Sequence, residues 1–352
     1  MYIPALLVLA AGSLATRTQA LLKEAREAPS GVPDYVTKYA PIVYLYSKDP
    51  FLPSDIGAQL TNTQPKVNFN VVSGAPSPLT LDNVNELNKL GNASLYLTSI
   101  EDPTTNPMPA YLYGVKPDSS GKTNGAVSCA VIVNDHGSGL VDVFYMYFYA
   151  FNYGGSYGIG DIKYIIGDHV GDWEHNMIRF ENGMPTAVWY SQHSNGQAFT
   201  YQAVNKTSDG LRPVVLSANG SHANYAIGGK HDHGIPNLNL PDGFVLDYTD
   251  FGSMWDPMLS AYHYSYDAST GTFTAYDSSS PVNWLYFFGH WGDEGYPDSD
   301  RRQVCVPVLG DITDALCKYT NGPTGPIYKQ LNRAKVCPNN GERCIVRKKL
   351  GP

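Results

Sequence analysis

The sequence predicts a mainly β, antiparallel two-sheet, sandwich-like fold with a few short helices and a disulfide-stapled C-terminal tail. Three observations carry that prediction. Short runs rich in β-branched and aromatic residues, IVYLYS (42–47), AVIV (130–133), VVLSA (214–218), FVLDYT (244–249) and WLYFF (284–288), are bounded by Gly, Pro, Asn or Asp, the mark of strands between turns. Their regular spacing with turn-rich connections suits two packed antiparallel sheets. The run LVDVFYMYFYAFNYG (140–154) is apolar on both faces, as a central strand covered on both sides must be. Four of the five cysteines, Cys305, Cys317, Cys337 and Cys344, crowd the last fifty residues or so.

The elements follow in chain order. Residues 1–20, MYIPALLVLAAGSLATRTQA, hold an apolar run from Ile3 to Ala15 and then small and polar residues. A bilayer span takes roughly 20 apolar residues, so this run is too short and predicts a secretory signal peptide cut after Ala15 or Ala20. LLKEAREA (21–28) has a short helical pattern, ended by the Pro and Gly of APSGVP. A second helix is predicted where Leu81, Val84, Leu87 and Leu90 recur every three residues, with Thr80 at a cap position and Gly91 at the end. The glycines of GGSYGIGD (154–161) match neither a P-loop nor a GxGxxG pattern and are expected in a turn. Aromatics thin out after residue 300, so the main β-rich domain is placed at 21–300 and a cysteine-containing extension at 301–352.

Composition narrows compartment and function. Charged residues are 16% of the chain against roughly 25% in average globular domains. The net charge of −8 offers no basic stripe for nucleic acid, and no later segment is long and apolar enough to be a transmembrane helix. Sequons at Asn92, Asn205 and Asn219 are glycan acceptors if the chain is secreted. In an oxidising compartment Cys305, Cys317, Cys337 and Cys344 form two disulfides, with three pairings open. Cys129, inside AVSCAVIV, is expected as a buried free thiol. Localisation in the secretory pathway, secreted or vacuolar, follows.

Seven of the nine histidines fall in four polar stretches: GDHVGDWEH (167–175), SQHSNG (191–196), NGSHANYAIGGKHDHG (219–234) and FFGHWGDEG (287–295). Strand alternation from Asp172 puts Asp172, Glu174 and Asn176 on one face and Trp173, His175, Met177 and Arg179 on the other. Two carboxylates that close can raise a pKa or hold a cation; they are also found on plain polar strand edges. For acid/base hydrolysis the candidates are Asp172, Glu174, His175, His222, His290 and Asp293. His231 and His233 make a metal pair of workable spacing, with a carboxylate from Asp172 or Glu174 and a divalent ion as the implied cofactor. No HExxH or GxSxG occurs, and Ser221 cannot pair with His222 by adjacency alone. Most of the five tryptophans are expected in the core, and Trp291, among glycines and polar residues, is the best candidate for an exposed ring that stacks a sugar.

The stretches YAPIVYLYSKDPFLPSDI (39–56), DVFYMYFYAFNYG (142–154), GDHVGDWEH (167–175), GSHANYA (220–226) with KHDHG (230–234), DYTDFGSMWDP (247–257), FGHWGDEGYP (288–297) and GPTGP (322–326) resemble the fungal vacuolar protein sorting-associated protein 62 family over nearly all of the mature chain. The resemblance implies a link to vacuolar sorting and transfers no catalytic residue. Three functions remain open: a hydrolase for a polar or glycan-like substrate, a non-catalytic glycan- or cargo-binding protein, and a structural or trafficking factor whose polar clusters only satisfy buried loops.

Overall fold

A computed structural model describes residues 28–159, 162–232, 246–305 and 316–351. The expected leader, most of LLKEAREA and His233 lie outside the described residues. The chain is mainly β. Its largest sheet has eight strands, in the order Thr272–Ala275, Ala261–Asp267, Cys129–Asp135, Leu140–Asn152, His169–Glu181, Met184–Gln192, Asn195–Thr200 and Val346–Arg347. Pairing is mostly antiparallel, but Ala261–Asp267 runs parallel to Cys129–Asp135, and Val346–Arg347 parallel to Asn195–Thr200.

The long apolar run explains the layering. In Leu140–Asn152 every residue but the first is buried, and alternate side chains enter two different cores. Phe144, Met146 and Phe148 face one core with Trp173, Trp284 and Trp291; Tyr145, Tyr147 and Tyr149 face the other with Val43, Val215 and Trp255. A four-stranded sheet, Asn224–Tyr225, Val214–Ser217, Ile42–Tyr44 and Met254–Trp255, supplies the second core's far wall. The first core is closed by short turns and by the C-terminal segment, through Leu331 and Val336.

Two expectations change, and one candidate is set aside. The helix expected over 81–90 is a 3-10 stretch, Val84–Lys89: three asparagines (Asn83, Asn85, Asn88) weaken α propensity, while Val84 and Leu87 still find the core. WLYFF (284–288) is no strand; Asn283–Tyr286 is a 3-10 turn whose Trp284 indole donates to the Tyr264 hydroxyl and the Pro281 carbonyl. Aromatic richness there signalled burial, not period. Trp291 is fully buried, edge-on to Trp173, Trp284, Phe148 and Phe287, because its ring fills a four-aromatic box that its polar neighbours in sequence conceal.

Two disulfides staple the C-terminal region, Cys305–Cys317 and Cys337–Cys344, and Cys129 is a free buried thiol. This part of the chain is bolted to the main sheet. Asp142, fully buried, accepts two hydrogen bonds from the Arg179 guanidinium at 2.8 and 2.7 Å, and Arg179 donates onward to the carbonyls of Arg333 and Ala334.

Candidate functional site

The strand His169–Glu181 pairs with Leu140–Asn152 along its whole length, but its ladder with Met184–Gln192 stops at Asn176 and Tyr190. Beyond that point Ser191 Oγ takes over. It accepts the His175 N–H at 2.8 Å and donates to the Glu174 carboxylate. The broken ladder opens the sheet beside Glu174, and one hydroxyl satisfies both the freed backbone and the acid.

Around this opening four segments distant in sequence converge. His222 Nδ1 lies 2.9 Å from Asp172 Oδ2, its Nε2 lies 3.2 Å from the Phe51 carbonyl, and Asp49 stands 3.7 Å away. A carbonyl only accepts, so Nε2 carries a proton, and a second proton on Nδ1 suits the carboxylate. Burial opposes charge on His222, but Asp172 and Asp49 outweigh it and raise its pKa. Burial also raises the pKa of Asp49, against the His222 charge and backbone donors from Gly220 and Phe51.

Next to this pair, the Glu174 carboxylate accepts the His193 N–H at 3.2 Å. Burial and the charge of Asp172 push Glu174 up to about 7, against Lys329, Ser191 and His193. The His193 ring meets Asp247 Oδ2 at 2.9 Å, and Asp247 also accepts from Ser221 Oγ at 2.7 Å and Tyr225 Oη at 2.6 Å. Burial opposes protonation of His193, but Asp247, with Glu174 and Asp172 behind it, pushes the ring up to about 9. Both His193 (φ 56°) and His222 (φ 54°) hold left-handed backbone, a conformation few non-glycine residues adopt and one that sharp turns at functional sites retain. His169 donates from Nδ1 to the Gly171 carbonyl at 2.7 Å; burial lowers its pKa, so the ring favours its neutral form.

These groups border a cavity of about 800 Å³, lined by His169, Asp172, Glu174 and His193 on one part. Lys329, Arg343 and Arg347 of the C-terminal region contribute to its wall. Gly171 is required where it sits: φ is +70°, and a Cβ would fall 2.2 Å from the Trp291 carbonyl oxygen.

The other residues singled out in the sequence lie elsewhere. His175 points to the opposite face, as alternation demands; its Nε2 is 2.8 Å from the Arg333 guanidinium, and burial with that cation drives its pKa well down. His290 stacks on Tyr96 at 4.3 Å and donates to the Gly322 carbonyl at 2.6 Å. Asp293 accepts the Ser99 N–H at 2.6 Å, with burial pushing it up to about 6. Neither lines the cavity. His231 stacks on Tyr225 at 3.8 Å and bonds Thr249 at 2.8 Å, one residue removed from the Asp247 network. Among the described residues only Asp298, Cys305 and Cys317 bring three metal-ligand atoms within 4.8 Å, and both sulfurs there are in a disulfide. Sequence reasoning passed over Asp49, Ser191 and Asp247, left His193 out of the acid/base candidates, and weighed Ser221 only as a nucleophile. Asp49 and Asp247 do stand inside KDPFLPS and DYTDFG, stretches that carried the family resemblance.

The model of vacuolar protein sorting-associated protein 62 matches residues 109–303, more than half of the chain and the stretch that holds Asp172, Glu174, His193, His222 and Asp247. The chain belongs to the vacuolar protein sorting-associated protein 62 family. Among its relatives in Saccharomyces cerevisiae is a putative vacuolar protein sorting-associated protein, TDA6, 37% identical over 88% of this chain and 69% of that protein. Vacuolar protein sorting-associated protein 62 itself is 31% identical over 87% of this chain and 68% of its own length. A solved structure, necrosis and ethylene inducing protein 2 from the agent of cocoa's witches broom disease, is 16% identical over 57% of this chain and 71% of that one, with a TM-score of 0.27. Within the vacuolar protein sorting-associated protein 62 family, two disulfides and a β-rich fold are thus established for this member. Among the described residues no helix is long and apolar enough to cross a membrane.

Proposed function

We propose that this family member is a luminal protein of the secretory pathway or vacuole whose cavity takes a polar, glycan-like ligand and hydrolyses it by acid/base chemistry. The observation that carries the reading is Glu174: a carboxyl pushed up to about 7, lining a cavity beside the Asp172–His222 pair. An acid with a pKa near the working pH is present in both protonation states and can give and take a proton. Ser221 donates to Asp247 rather than to a histidine, so the Ser221–Asp247–His193 chain orients the imidazole and does not prepare a serine nucleophile. Two disulfides suit an oxidising compartment, and the names of the relatives point to vacuolar sorting.

The test is a panel of oligosaccharides and chromogenic glycosides with the wild type and Glu174→Gln. Turnover should fall by about 10²–10⁴-fold in the variant, the usual contribution of a general acid or base. A second reading has its own support. Both Glu174 oxygens already accept hydrogen bonds, from Ser191 and His193, as in a rigid recognition site. Saturable binding without turnover in the same panel would establish a glycan- or cargo-binding protein instead. N-terminal sequencing of secreted or vacuolar material tests the compartment: a chain still beginning at Met1 would refute the leader.

A further inference from the structure

Beside the unpartnered Ser194 and Gln197, which can donate or accept, the cavity holds four groups that can only donate. Trp173 and Trp189 line it at 1% and 2% exposure, and neither indole N–H meets an acceptor among the described residues. Lys329 is half-buried in its wall, and its ammonium makes no hydrogen bond or ion pair with any described residue, yet it is near enough to pull on the Glu174 proton. Arg343, on the loop closed by Cys337–Cys344, is likewise without a side-chain partner. All four are donors, and two carry full positive charge. Three carboxylates of the lining are engaged: Asp172 with His222, Glu174 with Ser191 and His193, and Glu342 with the Asn195 amide at 2.8 Å.

A half-buried cation and two buried indoles with nothing to donate to leave an unmet demand for acceptors, which a ligand rich in oxygens would fill. We propose that the ligand of this cavity is an anionic glycan, a sugar bearing a carboxylate or a phosphate, with its anion held by Lys329 and Arg343. The proposal rests on the reading of the cavity as a glycan site and names the charge that the sugar carries. Lysine supplies a point charge near Glu174, and arginine a planar fork that matches either oxyanion. Hydroxyls of the same ligand are left to face the polar lining. The C-terminal region thereby has a role in selection, because both cations belong to it.

Isothermal titration with trigalacturonic acid, glucose 6-phosphate and neutral maltotriose tests this. At least one acidic probe should bind about tenfold or more tighter than maltotriose, and which of the two binds tells carboxylate from phosphate. Lys329→Gln with Arg343→Gln should remove that advantage without changing the melting temperature, since neither side chain makes a hydrogen bond or ion pair with a described residue, and Lys329→Arg should keep it. Maltotriose binding as tightly as both acidic probes, no binding of either acidic probe, or an unchanged advantage in the double variant would each overturn the proposal. Turnover of a neutral substrate that disappears in Glu174→Gln would leave the glycan reading standing while removing the anion.

Discussion

His222 lies flat on Tyr149, ring centroids 3.7 Å apart and planes 5° apart, with both side chains fully buried. An imidazole with protons on both nitrogens is a cation, and a buried aromatic face is one of the few apolar surfaces that favours it. Tyr149 belongs to the central strand, so the site's charged pair is stacked directly on the core of the main sheet.

That placement makes His222 structural as well as functional. His222→Ala would leave Asp172 and Asp49 buried without their cation, and breaking a buried pair in this way costs about 3–5 kcal/mol. Chemical denaturation should show a loss of that order. A loss below about 1 kcal/mol would mean that the pair contributes little to folding.

The ionisable groups also set a pH dependence of stability. Burial raises Glu174 from 4.5 to about 7 and Asp168 from 3.8 to about 7, and Asp247 helps raise His193 from 6.5 to about 9. A raised pKa stabilises the fold below the unfolded value, and that stabilisation is lost as pH climbs through the folded value. His263, lowered by burial from 6.5 to about 4, acts the other way and costs stability only as pH falls below 6.5. Between pH 6.5 and 9, then, these groups contribute only losses. The melting temperature should fall steadily across that window, and Glu174→Gln should flatten the part below pH 7. A melting temperature that rises towards pH 9 would contradict these assignments.

How much of this was legible in the sequence depends on how local the signal is. Leu140–Asn152 could be read as a doubly covered strand because its neighbours on the chain all need burial. Alternation from Asp172 was sufficient to send Asp172 and Glu174 to one face and His175 to the other, and the hydrogen bonds follow that division. Asp49 and Asp247 were illegible as site residues: each is a single polar residue in a loop or strand, and only folding brings it to the site. His290 and Asp293 show the converse. Their composition resembles a reactive cluster, but a stacked tyrosine and backbone partners occupy both. A count of histidines cannot tell a satisfied turn from an open site.

The three sequons differ in the same way. Asn92 and Asn205 are exposed, whereas Asn219 is half-buried, donates its N–H to the Tyr248 carbonyl at 2.9 Å and borders a second, smaller cavity. The hydroxyl of its sequon partner Ser221 is committed to Asp247. Glycopeptide mapping of secreted material should find glycans at Asn92 and Asn205 and an unmodified Asn219. A glycan at Asn219 would require this loop to be rearranged.

A further test of Glu174 leaves its carboxyl in place and removes one of its two donors, the hydroxyl that also accepts the His175 N–H. Ser191 Oγ hydrogen-bonds the carboxylate and so favours the charged form; it is one of the influences holding the pKa down to about 7. Ser191→Ala removes that donor, while burial and Asp172, which raise the pKa, stay. The pKa must therefore move further up, by about one unit for a hydrogen bond to a charged group worth 1.5–3 kcal/mol with part of it recovered from water. Carboxyl carbon NMR of protein labelled at glutamate can follow the titration without a known substrate. If catalysis uses Glu174, the corresponding limb of the pH–rate profile should shift in the same direction and by the same amount. A titration that moves without the rate profile would place Glu174 in the cavity but outside the reaction, and favour ligand binding as the function.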